Sequence, residues 1–331
     1  MTVKYILSLI AVLLVFVLSG LFALKQGAVS LSWPQLLAVL SGEDSESLWQ
    51  QIIWQLRSPR VGIAFLAGGG LALAGGILQT VTRNPLADPY LFGISSGAAL
   101  GVVLTMVLFG VSAPVLLSLS AFTGAMLAVV LLLMVAYSVR YMQNSILVLA
   151  GVALSFGFGA LTSLLLYFGE PQAVSAVVFW TLGSFSGASM AMLLPVSVLM
   201  GVSLAIVWLL RAPLNALLLG DESAHTLGIH VQRLRLAMLL LSALITAVLV
   251  SVCGGIGFVG LMIPHLVRIL APRAGSYLYP ASFFSGGLFM VWVDLAARTV
   301  LDNQELPVGV ITSAIGSIFF LLLLFSRYRT Q

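Results

Sequence analysis

Only 7% of the 331 residues are charged and 61% are hydrophobic, giving a mean hydropathy of +1.16 and a formal net charge of +4. A soluble domain carries roughly 25% charged residues, so a water-soluble fold is excluded. Apolar runs of about 20 residues recur, as spanning helices require, whereas an outer-membrane barrel would alternate polarity in runs of about 10. The fold class is all-α integral membrane.

In chain order, about ten transmembrane spans fall at 5–24, 61–81, 91–110, 114–137, 144–168, 191–210, 234–253, 257–271, 279–300 and 307–325. The first, after Lys4, is longer than the roughly 7–15 residues of a signal-peptide core and reads as a span. The polar stretch that follows starts a short helix at Trp33-Pro34 and gathers Glu43, Asp44 and Glu46. Between spans two and three, Asn84-Pro85 and Asp88-Pro89 force a tight non-helical link, and Gly93, Ser95, Ser96 and Gly97 allow close approach to a neighbour. Residues 171–190 are broken by Gly and Ser and read as a short re-entrant or partial helix before span six, the alternative being an eleventh crossing.

The longest interior segment unsuited to lipid is 211–235, RAPLNALLLGDESAHTLGIHVQRLR. Pro213 suits a helix start, Gly220 can close that helix, Asp221 can cap a second, and Gly228 can end it. Two short helices across the end of a bundle make a docking surface for a soluble partner.

An even number of spans places both termini on one side. With that side cytoplasmic, its loops hold ten basic residues against three acidic, and the other side holds four against six. The positive-inside rule therefore supports ten spans, cytoplasmic termini and a cytoplasmic 211–235 loop.

Several chemistries lack their residues. The only lysines, Lys4 and Lys25, follow no glycine-rich phosphate loop, so this chain has no such ATPase motif. His225, His230 and His265 form no metal-site pattern, and Cys253 is the only cysteine, which packing in its apolar run accounts for. The basic residues form no patch with interleaved aromatics, so nucleic acid is not an expected partner. Asp294 lies at bilayer depth with Arg298 four residues on, which reads as a local ion pair in preference to a proton relay. No ladder of ionisable residues or matched pair of broken helices supports an ion-coupled secondary transporter, and no clustered carboxylates support an intramembrane enzyme.

Six segments then carry a resemblance: RSPR (57–60), NPLADPYLFGISSG (84–97), LAGVAL (149–154), GDESAHTLG (220–228), GFVGLMIPHLVR (257–268) and ELPVGVITSAIG (305–316). In this order and topology, nearly end to end, the chain resembles permease subunits of the ABC importers for iron chelates, haem and cobalamin. The resemblance implies the ten-span type II permease fold, a single transmembrane domain over 1–331, and a site in the bacterial inner membrane. It implies a second permease copy or a close paralogue, two cytoplasmic ATPase subunits that carry ATP and Mg, and a periplasmic binding protein. The chain itself would bind no cofactor or metal and catalyse no reaction. The expected cargo is an iron chelate, ferric siderophore first, with haem or cobalamin as the alternative.

The resemblance also places sites. The 211–235 loop corresponds to coupling helices, with Glu222, Ala224 and Gly228 keeping an E-x-A-x-x-x-G spacing. Leu217, Leu218, Ala224 and Leu227 would fill an apolar groove on the ATPase, with Asp221 and Glu222 fixing orientation and Gly220 in the same coupling loop. Arg57, Arg60 and Arg298 would dock acidic residues of the binding protein, or act as interfacial anchors. Gln143, Asn144 and Ser145 would form a cytoplasmic gate, or an ordinary helix cap. Tyr167, Phe168, Trp180 and Phe185 would line the translocation cavity, or sit in an interfacial aromatic belt.

Overall fold

The computed structural model describes residues 2–27, 29, 31–43, 48–110, 112–138, 144–271, 275–302 and 304–328. Among these residues every regular element is helical. Helix α1 (Thr2–Lys25) is followed by α2 (Trp33–Ser41), which opens with a capping box between Ser32 and Gln35 and closes on Gly42 at φ 82°. The short α3 (Leu48–Gln51) runs through a π-helical turn (Ile52–Arg57) into α4 (Ser58–Val81).

The predicted tight link follows. Arg83 adopts a left-handed conformation (φ 51°), Asn84 Oδ1 accepts from the Leu86 N–H at 2.9 Å, and Asp88 Oδ1 accepts from the Tyr90 N–H at 2.8 Å. A 3-10 turn (Pro89–Phe92) then leads into α5 (Ile94–Val103), which ends in a second π-helical turn (Leu104–Leu108). Next come α6 (Pro114–Ser138), α7 (Asn144–Phe168), the short α8 (Pro171–Thr181) and α9 (Met190–Leu209). The chain then makes α10 (Arg211–Leu218) and α11 (Asp221–Thr226), and finishes with α12 (Val231–Cys253), α13 (Val259–Leu270), α14 (Leu278–Ala297) and α15 (Val308–Tyr328).

Each of the ten expected segments is thus occupied by a helix. Among the described residues, seven helical stretches are long and apolar enough to cross a bilayer by themselves, and the apolar stretches Ile94–Leu108 and Val259–Leu270 are shorter. Residues 171–190 hold no full span. Helix α8 has 11 residues, about 16 Å of rise, which is half a hydrocarbon core.

Helix α4 is the centre. It packs on α9, α12, α13 and α14, and glycine makes those approaches possible. A methyl group on Gly68 would overlap the carbonyl oxygen of Gly286, and one on Gly286 would meet Gly68 in return. Small residues let backbones touch where lipid supplies no hydrophobic force between helices.

Three broken ends meet beside this core. The Ser184 N–H donates to Cys253 O at 2.9 Å, the Val308 N–H to Gly183 O at 3.1 Å, and the Gly309 N–H to Leu182 O at 3.0 Å. The end of α8, the break between α12 and α13, and the start of α15 satisfy one another's backbone groups. Non-helical backbone at membrane depth is tolerated only when it is paired in this way.

Candidate coupling surface and charged clusters

The segment 211–235 folds as its punctuation predicts. Gly220 lies at φ 113° between α10 and α11, and Gly228 at φ 79° ends α11. There the Gly228 N–H donates to His225 O at 2.9 Å and the Ile229 N–H to Ala224 O at 3.1 Å, closing the orphaned carbonyls of the last turn.

Burial divides this segment into two faces. Leu214, Leu217 and Ala224 are buried and hold the short helices to the bundle. Leu218, Leu219 and Leu227 are 50%, 71% and 65% exposed. Leu217 and Ala224 therefore do not fit the expectation that they fill a partner's groove, because their own core already covers them. Leu219, beside Leu218, is exposed instead. Its place at the end of α10 was readable, but not which face the bundle would cover.

Glu222 is exposed and makes no ion pair among the described residues. Asp221 differs. Its Oδ1 lies 3.0 Å from Arg83 Nη2 in an ion pair and accepts from Arg235 Nη2 at 3.0 Å, so it is engaged within its own chain.

A second charged cluster lies where α14 ends. Asp294 is fully buried, with Arg60 Nε at 2.8 Å from its Oδ1 and Arg298 Nε at 3.2 Å from its Oδ2. Arg60 also forks onto Glu305 at 2.7 and 3.0 Å. The predicted Asp294–Arg298 ion pair is present, and Arg60 joins it from 234 residues away in the chain. Arg298 further donates to Ala23 O and Gln26 O, and Arg57 donates to the carbonyls of Leu24, Lys25 and Val29.

At 7% and 8% exposure, Arg57 and Arg298 are not the free forks that docking an outside carboxylate requires. They clamp the end of α1 and the turn after it. Arg60 is the remaining member of that set, its side chain 12% exposed and already paired.

The proposed cavity aromatics separate. Trp180 lines a cavity of about 430 Å³ with Ser184, Ser186, Met192 and Glu305. Tyr167 and Phe168, 82% and 74% exposed, pack edge to face at 5.1 Å on the outside of α7. Phe185 is 1% exposed and packs in the core, outside the lining of the Trp180 cavity. Of the gate residues, Gln143 and the side chains of Asn144 and Ser145 lie outside the described residues, while α7 begins at Asn144. No group of three His, Cys, Asp or Glu able to hold a metal occurs among the described residues.

In the link after α4, Asp88 is 8% exposed, and burial pushes its carboxyl up to about 6 even though the Tyr90 N–H stabilises its charged form. The folded protein therefore holds this proton through a pH range where the unfolded chain, near 3.8, has lost it. Stability from this group is greatest at the acid end and falls as pH rises from about 4 to about 6. Asp88→Asn, which keeps an acceptor for Tyr90 without the charge, is expected to raise the unfolding temperature at pH 7 and to raise it much less at pH 4.5. Equal shifts at both pH values would contradict this account.

The profile of the FecCD transport family matches residues 12–326. The Yersinia pestis hemin transport system permease protein HmuU is 37% identical over 324 residues, covering 96% of this chain and 95% of that protein. The Bacillus subtilis Fe(3+)-citrate import system permease protein YfmE is 34% identical over 327 residues, covering 98% and 97%. Among solved structures, an inward-facing ABC transporter assigned to the metal-chelate type superposes with a TM-score of 0.85 at 33% identity, covering 96% of this chain and 98% of that one. With the whole bundle matched in sequence and in fold, this multi-pass membrane chain belongs to the FecCD transport family.

Proposed function

We propose that this chain is the membrane permease of an ATP-driven importer of metal chelates, with a ferric siderophore as cargo and haem as the second reading. The observation that carries this is the exposed apolar and acidic face of α10 and α11: Leu218, Leu219, Leu227 and Glu222 presented on helices anchored by Leu217 and Ala224. Such a face suits a soluble partner, and the chain itself holds no phosphate loop with which to hydrolyse ATP. The likeness to permeases named for hemin and for ferric citrate supports an iron-containing cargo, and the hemin relative favours the second reading.

In this reading the chain is one transmembrane domain in the bacterial inner membrane with both termini cytoplasmic, and a second permease copy completes the pathway. Two ATPase subunits carrying ATP and Mg sit against the coupling helices, and a periplasmic protein delivers cargo. The cycle is alternating access: ATP and the loaded binding protein each favour one orientation, and their differential affinity supplies the shift.

The test is growth of a strain lacking this chain with a ferric hydroxamate siderophore, haemin or cobalamin as the limiting nutrient. Wild-type plasmid is expected to rescue growth on one of them. Glu222→Arg reverses the charge on the partner-facing side and is expected to lower the ATPase subunit retained on purification by roughly tenfold. Full rescue by Glu222→Arg would remove that residue from the coupling surface. Growth unaffected on every nutrient would remove all three cargoes.

A further inference from the structure

We propose that Asp221 is a positioning residue that straps α11 to the end of the central helix α4, and that Arg83 and Arg235 complete the strap through which motion of a partner reaches the bundle. The inference rests on the ATP-driven importer reading and adds to it a route for the movement.

The strap joins three elements. Arg235, in the second turn of α12, reaches Asp221 Oδ1 and Oδ2 with Nη2 at 3.0 and 3.3 Å. The Nε of the same guanidinium donates to Val81 O at 3.1 Å. Val81 is the last residue of α4, whose terminal carbonyls have no acceptor role left inside the helix. Arg83, two residues further on and held at φ 51°, reaches the same Asp221 Oδ1 at 3.0 Å. One carboxylate therefore gathers the start of α11, the start of α12 and the chain just past α4.

Burial in this cluster is graded, with the Asp221 and Arg83 side chains 44% and 39% exposed and Arg235 buried. Arg235 is 7% exposed, so it cannot reach a soluble partner, and Asp221 is the only acid paired with it among the described residues. Removing a buried arginine's carboxylate costs far more than breaking an exposed pair. Helix α11 also buries Ala224 against the bundle. Charge-assisted hydrogen bonds are directional, so the strap converts a push on Leu218 or Leu227 into displacement of the α4 end. Glu222, one residue along, remains free to face the partner.

The experiment uses the assembled complex, with its ATPase and binding protein, in proteoliposomes. Uptake of a radioiron-labelled ferric hydroxamate and of haemin is measured per ATP hydrolysed. Asp221→Asn and Arg83→Gln are each expected to lower this ratio by roughly tenfold, the scale of a coupling free energy between sites, while the ATPase still copurifies. Asp221→Glu is expected to restore most of it. The double variant is expected to be no worse than the poorer single variant, because both substitutions break one connection. An unchanged ratio in both single variants, or losses that multiply in the double variant, would overturn the strap. Should Asp221→Asn fail to fold, Arg83→Gln carries the test, since its side chain is 39% exposed. No ATP-driven uptake of either probe by the wild-type complex would overturn the iron-chelate reading and, with it, the strap as a route for that uptake.

Discussion

Gly75→Ala is expected to abolish accumulation of folded protein. A methyl group on Gly75 would lie inside the backbone of Gly260 on α13, against its carbonyl oxygen, carbonyl carbon and Cα together. No flexible side-chain end is available to yield, so one helix must move. Helix α13 is not free to do so, because Gln79 also donates from α4 to the carbonyls of Gly260 and Leu261 at 3.2 and 3.1 Å. Overpacking a core costs about 1–3 kcal/mol when side chains can rearrange, and backbone overlap belongs at or above the upper end. Gly201→Ala is the matched control, on α9, where an added methyl group meets nothing within 4 Å. That substitution is expected to be neutral or to gain up to about 1 kcal/mol from reduced chain entropy. Detergent-extracted yield and thermal unfolding would read both. Equal behaviour of the two variants would refute the packing account.

Asp294→Ala is expected to lower stability by about 3–5 kcal/mol, the cost of leaving a buried charge without its partner. Two arginines depend on this carboxylate, and Arg298 has no other acid among the described residues. Glu305→Gln removes the other partner of Arg60, but that side chain is 46% exposed, and the expected loss is below about 1 kcal/mol. Thermal inactivation of the purified protein, comparing Asp294→Ala with Glu305→Gln, checks the ranking. A larger loss in Glu305→Gln would contradict this ranking and make the rim pair, which ties α4 to the segment before α15, the stronger anchor.

Most spans were legible because a 20-residue apolar run has few alternatives, and α8 was legible as partial because Gly and Ser interrupt its run. The turns of α10 and α11 were legible because Gly220 and Gly228 occupy positive-φ positions that other residues avoid. Local sequence does not report which side of a short helix the bundle covers. Leu217 and Leu218 are adjacent and equally apolar, yet one is 1% exposed and the other 50%. Nor does it report long-range pairing: Arg60 meets Asp294 and Glu305 from a distant segment, and Arg57 and Arg298 reach the carbonyls at and after the end of α1. The two π-helical turns carried no signal that length and hydropathy could detect.

The burial of α4 has a consequence for how the protein is made. In the span Leu48–Val81, 78% of the most apolar window is buried in the finished bundle, yet its mean hydropathy of 2.0 suits lipid. Its partners α9, α12, α13 and α14 all come later, the last of them roughly 200 residues further along the chain. At about 5–20 residues per second, synthesis leaves α4 without its main neighbour for roughly 10–40 seconds. During that interval Gly68 and Gly75 face acyl chains instead of Gly286 and Gly260. The apolar residues of α4 thus serve a passage through lipid that the mature protein no longer shows, and a polar substitution there would fail first at membrane insertion.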